Sequence, residues 1–153
     1  MLDWAILPFK RYFDFSGRSR RMEYWSFVVL VLLVYIVLVG IMMAGGLSLA
    51  ALSGDPAAAA ELEMGPVFYL GAGLLALFGL AVIIPSIAVV VRRFHDRDMS
   101  GWWYLGFIVA SMIPFVGFIA SIALLVLMFL PGTPGPNRFG PDPKDPGSAE
   151  VFA

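Results

Sequence analysis

Cysteine is absent from the 153 residues, which removes disulfides, thiolate metal sites and cysteine nucleophiles and leaves the redox compartment open. Histidine occurs once, so a metal centre with three or four suitably spaced ligands finds no second His and no Cys to join His95. Charge is scarce as well. Asp, Glu, Lys and Arg make up 14% of the chain, about half the share of an ordinary soluble domain. A formal net charge of −1 offers no basic surface for nucleic acid. What is present is 60% hydrophobic, with a mean hydropathy of +0.88. Too little polar surface is left to cover a water-soluble domain of this size, so the solvent is lipid.

The few charges are clustered. Residues 24–54, 64–91 and 99–137 carry none and form runs of 31, 28 and 39 residues, each long enough to cross a bilayer. A first span is expected over residues 25–48, with Tyr24 and Trp25 at headgroup level, and a second over 67–91, kinked at Pro85. Between them, Asp55 and Pro56 are suited to start a short surface helix over 56–64. The third apolar run, residues 101–130, would be about 45 Å long as one helix against a hydrocarbon core of about 30 Å. Ile113, Pro114, Phe115, Val116 and Gly117 interrupt its middle. The fold class is therefore all-α: a polytopic helical membrane protein with two full spans plus a third run. That run is either a short helical hairpin (102–113 with 116–130) or one long kinked span.

Orientation follows from the cations. Lys10, Arg11, Arg18, Arg20 and Arg21 precede the first span, Arg92, Arg93 and Arg97 follow the second, and Arg138 and Lys144 lie in the tail; the loop between the first two spans holds only Asp55, Glu61 and Glu63. The positive-inside rule puts the N-terminus and the 92–100 loop in the cytoplasm, and a hairpin would return the tail there too, which favours the hairpin. No cleaved signal peptide is expected. Leu2, Ile6, Phe9 and Phe13 recur at helical spacing, an interfacial segment broken at Pro8. The domains are a cytoplasmic segment 1–24, a membrane domain 25–130 and a cytoplasmic Gly/Pro-rich tail 131–153, with 145–153 expected to be disordered.

Three boxes hold nearly everything that is not lipid-like: GRSRRMEYW at 17–25, RRFHDRDMSGWW at 92–103 and PGTPGPNRFGPDP at 131–143. In the first two, an Arg pair is followed by acids and then by aromatics at the start of an apolar run. That order builds a water-to-lipid boundary, with acids near a helix N-terminus, Arg in water or on phosphate, and rings at the interface. Beyond anchoring, Arg21, Glu23, Arg92, Arg93, Asp96 and Arg138 are candidates for one ion-pair network, with a surplus guanidinium left for lipid phosphate. His95 is expected to order its loop, Ser100 to cap the third run, and Gly101 to allow close approach. Gly71, Gly73 and Gly79 suit helix packing.

Taken together the boxes resemble the bacterial DUF805 family of small inner-membrane proteins, whose pattern runs GRxRRxEYW, RRxHDxxxSGWW and NRFGxDP in that order. The match spans residues 13–143. It falls on Gly17, Arg18, Arg21, Glu23, Tyr24 and Trp25, then on Arg92, Arg93, His95, Asp96, Ser100, Gly101, Trp102 and Trp103, then on Asn137, Arg138, Phe139 and Gly140. Phe94 stands where the family often has leucine. The resemblance implies a bacterial inner-membrane location and no reaction.

No ionisable residue interrupts the three runs, which disfavours an ion-coupled transporter or pump. No motif brings a nucleophile, a base and an orienting group together. The expectation is a non-enzymatic protein without a cofactor, whose cytoplasmic face binds membrane lipids, a second copy of itself or a membrane-protein partner. Two alternatives stand beside it: a small oligomeric transporter or channel, and a membrane enzyme acting on lipid phosphates through His95 and Asp96.

Overall fold

The computed structural model describes residues 2–46 and 64–144. The surface helix expected over 56–64, but for Met64, and the tail end 145–153 lie outside the described residues. Regular structure among the described residues is helical: α1 (Leu2–Lys10), α2 (Arg21–Ala44), α3 (Pro66–Asp96), α4 (Trp102–Ser111) and α5 (Val116–Phe129). α2 and α3, with 24 and 31 residues, are long and apolar enough to cross a membrane.

The third run is a hairpin of two short helices. Pro114 has no amide hydrogen to continue α4, and Phe115 turns the chain with a φ of 64° that no α-helix contains. Gly117 completes the reversal, because a Cβ there would come within 2.5 Å of the Ser111 carbonyl oxygen. α1 departs from expectation by continuing through Pro8 to Lys10. Proline at that position forfeits a single N–H bond, and burial of its ring beside Ala5 offsets the loss.

The chain divides into two compact units, Met1–Val28 with Ile84–Ala153, and Val29–Ile83. In the first, Val90, Phe94 and Met128 form a core against which Tyr24, Trp25, Met99, Tyr104, Phe107, Leu124 and Leu127 pack. In the second, α2 and α3 approach through glycine: a Cβ on Gly71 would lie 2.8 Å from Met42 Cγ and 3.2 Å from its backbone nitrogen. Gly79 makes only ordinary contact with the Tyr35 hydroxyl, and Gly73 has nothing within 4 Å. Two positions after Gly71 is a rotation of about 200° around the helix, so Gly73 faces away from that approach.

Candidate functional site

The three boxes meet where α3 ends. α3 stops in a Schellman arrangement: Met99 N–H donates to the Phe94 carbonyl and Asp98 N–H to that of His95, both at 3.0 Å, with Asp98 at a φ of 58°. Aspartate tolerates this left-handed conformation better than most residues, and Met99 packs onto the Phe94 cluster, the apolar contact that commonly accompanies the motif. The last turn thereby presents Arg92, Arg93 and Asp96. α2 contributes Glu23 from its first turn, where a carboxylate complements the helix dipole. The strand of chain before α2 crosses the end of α3, and Ser19 N–H donates to the Arg92 carbonyl at 3.1 Å.

Five charged groups at the centre of this junction are buried: Arg18, Glu23, Arg92, Arg93 and Asp96. Asp96 is shared: Arg18 holds Oδ1 at 3.0 Å through Nε, and Arg93 bonds Oδ2. Arg92 pairs with Glu23 at 2.8 Å. Exposure of these five side chains runs from 0% to 3%, so each charge depends on its neighbours rather than on water. Three guanidiniums face two carboxylates. The surplus is spread over backbone carbonyls: Arg18 donates to Thr133 and Gly135, both at 2.6 Å, Arg93 to Leu130, and Arg92 to Asp14. Thr133 answers by donating its N–H to the Asp96 carbonyl at 2.8 Å, and a Cβ on Gly132 would collide with the Asp96 carboxylate.

Around this cluster the remaining box residues separate. Arg21, on the surface, donates to the Phe129 carbonyl at 3.3 Å, and Arg138 forms an exposed pair with Asp98 at 3.2 Å. Neither joins the buried network; Arg18 is its third guanidinium. His95 donates its Nδ1–H to the Gly17 carbonyl oxygen at 3.1 Å and stacks on Phe139 with centroids 4.0 Å apart and planes at 5°. Arg138 lies over the other partner of that stack, 4.7 Å from the Phe139 centroid. Asn137 ties the turn down by donating to the His95 carbonyl at 2.9 Å, and closes it with Gly140 through two backbone bonds of 3.0 Å.

Ser100 accepts the Trp102 N–H at 3.4 Å, just ahead of Gly101, which occupies the cap position of α4 without a side-chain bond. Gly101 is in close approach, since a Cβ would lie 2.6 Å from Val91 Cγ1. Trp102 and Trp103 are exposed. Tyr24 and Trp25 instead turn toward the core, Trp25 stacking on Phe129 at 4.2 Å. His95 and Ser100 both line an apolar groove of about 540 Å³, but the His95 Nδ1 faces a carbonyl rather than a carboxylate, so no acid orients it as a general base. No group of three or more His, Asp or Glu suited to a metal occurs among the described residues.

Sequence reasoning missed the outer ring. Asp14 accepts from Arg11 through Nε and a terminal nitrogen at 2.9 and 2.7 Å, and from Ser16. Desolvation raises its pKa, but the Ser16 and Arg11 hydrogen bonds and the Arg11 charge outweigh that and bring it from 3.8 to about 2. An Arg, two residues, then an Asp beside the first box was the available signal. Thr133 and Gly132 had none beyond their membership of a Gly/Pro-rich tail.

The fold and this junction define a helical membrane protein whose membrane helices meet a buried charged cluster at one end. The chain belongs to the family described as a protein of unknown function (DUF805), whose model matches residues 12–141. It is similar to the inner membrane protein YhaH of Escherichia coli K12, 38% identical over 144 residues that cover 94% of this chain and 98% of that one. It is also similar to the inner membrane protein YhaI of the same strain, 36% identical over 143 residues covering 94% and 97%. The uncharacterized protein YiiR of that strain is 28% identical over 151 residues, 87% and 88% of the two chains. No solved structure matches.

Proposed function

We propose that this is a multi-pass, non-enzymatic protein of the bacterial inner membrane, with its N-terminus and tail in the cytoplasm, whose charged rim holds anionic lipid headgroups. The supporting observation is a positive surplus left after the acids are engaged. Residues 1–23 and 92–144 carry ten basic and six acidic side chains, a net of +4. Glu23 and Asp96 are enclosed by three arginines, Asp14 is held by Arg11, and Asp98 by Arg138.

Arg21 and Arg97 are two of the cations outside those pairs. Among the described residues neither has a carboxylate partner; they bond the carbonyls of Phe129 and Pro131, two positions apart at the end of α5. A carbonyl supplies a partial charge, whereas a phosphate diester supplies a full one together with oxygens that match the guanidinium. Trp102 and Trp103, exposed on the neighbouring α4, suit the same headgroup level.

The test is thermal unfolding of purified protein in phosphatidylcholine nanodiscs with and without phosphatidylglycerol. Phosphatidylglycerol is expected to raise the unfolding temperature, less so in higher salt, and Arg21→Ala with Arg97→Ala to remove most of the difference. Equal stability in both lipids defeats the reading.

A further inference from the structure

The hairpin is too short to reach the far side of a membrane. α4 has 10 residues and α5 has 14, so the arms measure about 15 and 21 Å at 1.5 Å per residue, against a hydrocarbon core of about 30 Å. Both of its feet stand on the charged rim. α4 starts within six residues of Asp96, and the carbonyls that end α5, those of Phe129, Leu130 and Pro131, are bonded by Arg21, Arg93 and Arg97. The tip therefore cannot slide outward to lengthen its reach.

That tip is built for an apolar solvent. Met112, Phe115 and Phe118 are 80%, 88% and 72% exposed, which in water would be a costly display. Most of its backbone N–H groups, that of Phe115 excepted, turn inward. The N–H groups of Met112, Ile113, Val116 and Gly117 bond the carbonyls of Val109, Ala110, Pro114 and Ile113, and Pro114 has no N–H to satisfy. The two nearby hydroxyls are used in the same way, Ser111 donating to the Ile108 carbonyl at 2.6 Å and Ser121 to that of Gly117 at 2.8 Å. Lipid tolerates a chain reversal only when its backbone is satisfied internally.

We propose that α4 and α5 form a re-entrant hairpin whose tip ends near the bilayer midplane, its surface covered by the acyl chains of one leaflet. The hairpin enters and leaves on the face that carries the charged rim. It adds two helices to that leaflet and none to the other, so the protein occupies unequal areas in the two. This rests on the membrane location and is independent of the phosphate reading: equal stability with and without phosphatidylglycerol, which defeats that reading, leaves it untouched.

The cysteine-free chain allows a direct test. Ile113→Cys carrying an environment-sensitive fluorophore is reconstituted into vesicles whose lipids bear a nitroxide either near the headgroup or near the acyl terminus. Emission is expected to be lost mainly with the deep nitroxide. In intact cells an impermeant maleimide should leave Ile113→Cys unlabelled, and in opened cells it should label Lys144→Cys, the rim-side control, but still not Ile113→Cys. Labelling of the tip from either aqueous face, or quenching mainly by the shallow nitroxide, overturns the proposal. So does a tip-to-tip disulfide between copies with no lipid quenching. Met112→Cys, at a more exposed position, serves if the first variant does not accumulate.

Discussion

The two units of this protein are held together by opposite kinds of physics. In Val29–Ile83 the contacts are apolar and close: glycine lets α2 and α3 touch, and Tyr35 meets Phe78 edge-on at 5.3 Å. In the unit containing both chain ends, five buried charges fix the helix ends through directional bonds. Lipid explains the difference. Tails are as apolar as leucine, so helices gain little from apolar contact alone and rely on shape, whereas a charge beside lipid has few alternatives to its partner. Shape permits sliding and small adjustment. Ion pairs with bonds on both oxygens of a carboxylate permit very little.

The sharpest way to break that contrast is at Arg92. Arg92→Ala leaves Glu23 buried without its cation and is expected to cost about 3–5 kcal/mol, read as collapse of folded yield and unfolding temperature in detergent. Glu23→Arg combined with Arg92→Glu should recover part of what either single change loses; absence of any recovery would show that the pair acts through shape rather than charge. A middling effect is expected in the other unit. Gly71→Leu forces α2 and α3 apart at Met42 and should cost about 1–3 kcal/mol, with no dependence on salt or pH.

The smallest effect separates the outer ring from the centre. The pKa of Asp14 is depressed, so its stabilisation is complete above 3.8 and is lost as pH falls through about 2. Asp14→Asn should flatten the fall in unfolding temperature over that acid range and lower the unfolding temperature at neutral pH by the same amount, a small one because the side chain is 37% exposed and solvent screens it. An unchanged acid profile would show that Asp14 does not carry the acid sensitivity.

Much of this architecture could be read before any coordinates. Three charge-free runs, a Pro114 break and cations gathered outside the runs suffice for two long helices and favour a hairpin over one kinked span for the third run, because hydropathy and chain length are one-dimensional properties. The pairing Glu23 with Arg92 was also among the candidates. Which arginine of the first box turns inward was not readable. Arg18, Arg20 and Arg21 differ only by position, and the choice depends on how the chain before α2 crosses the end of α3. The acceptors on Thr133, Gly135 and Leu130 were equally hidden, since every residue owns a carbonyl and none advertises it. Pro8 misled for a related reason: a local rule about helix breaking was overridden by burial of its ring.

Arginines that grip main-chain oxygens in the tail are indifferent to the side chains there. What they measure is distance along the polypeptide. Gly132 apart, where Asp96 leaves no room for a side chain, exchanging one residue there should therefore matter less than deleting a single one between Leu130 and Gly135, which would shift every later oxygen out of register with its guanidinium.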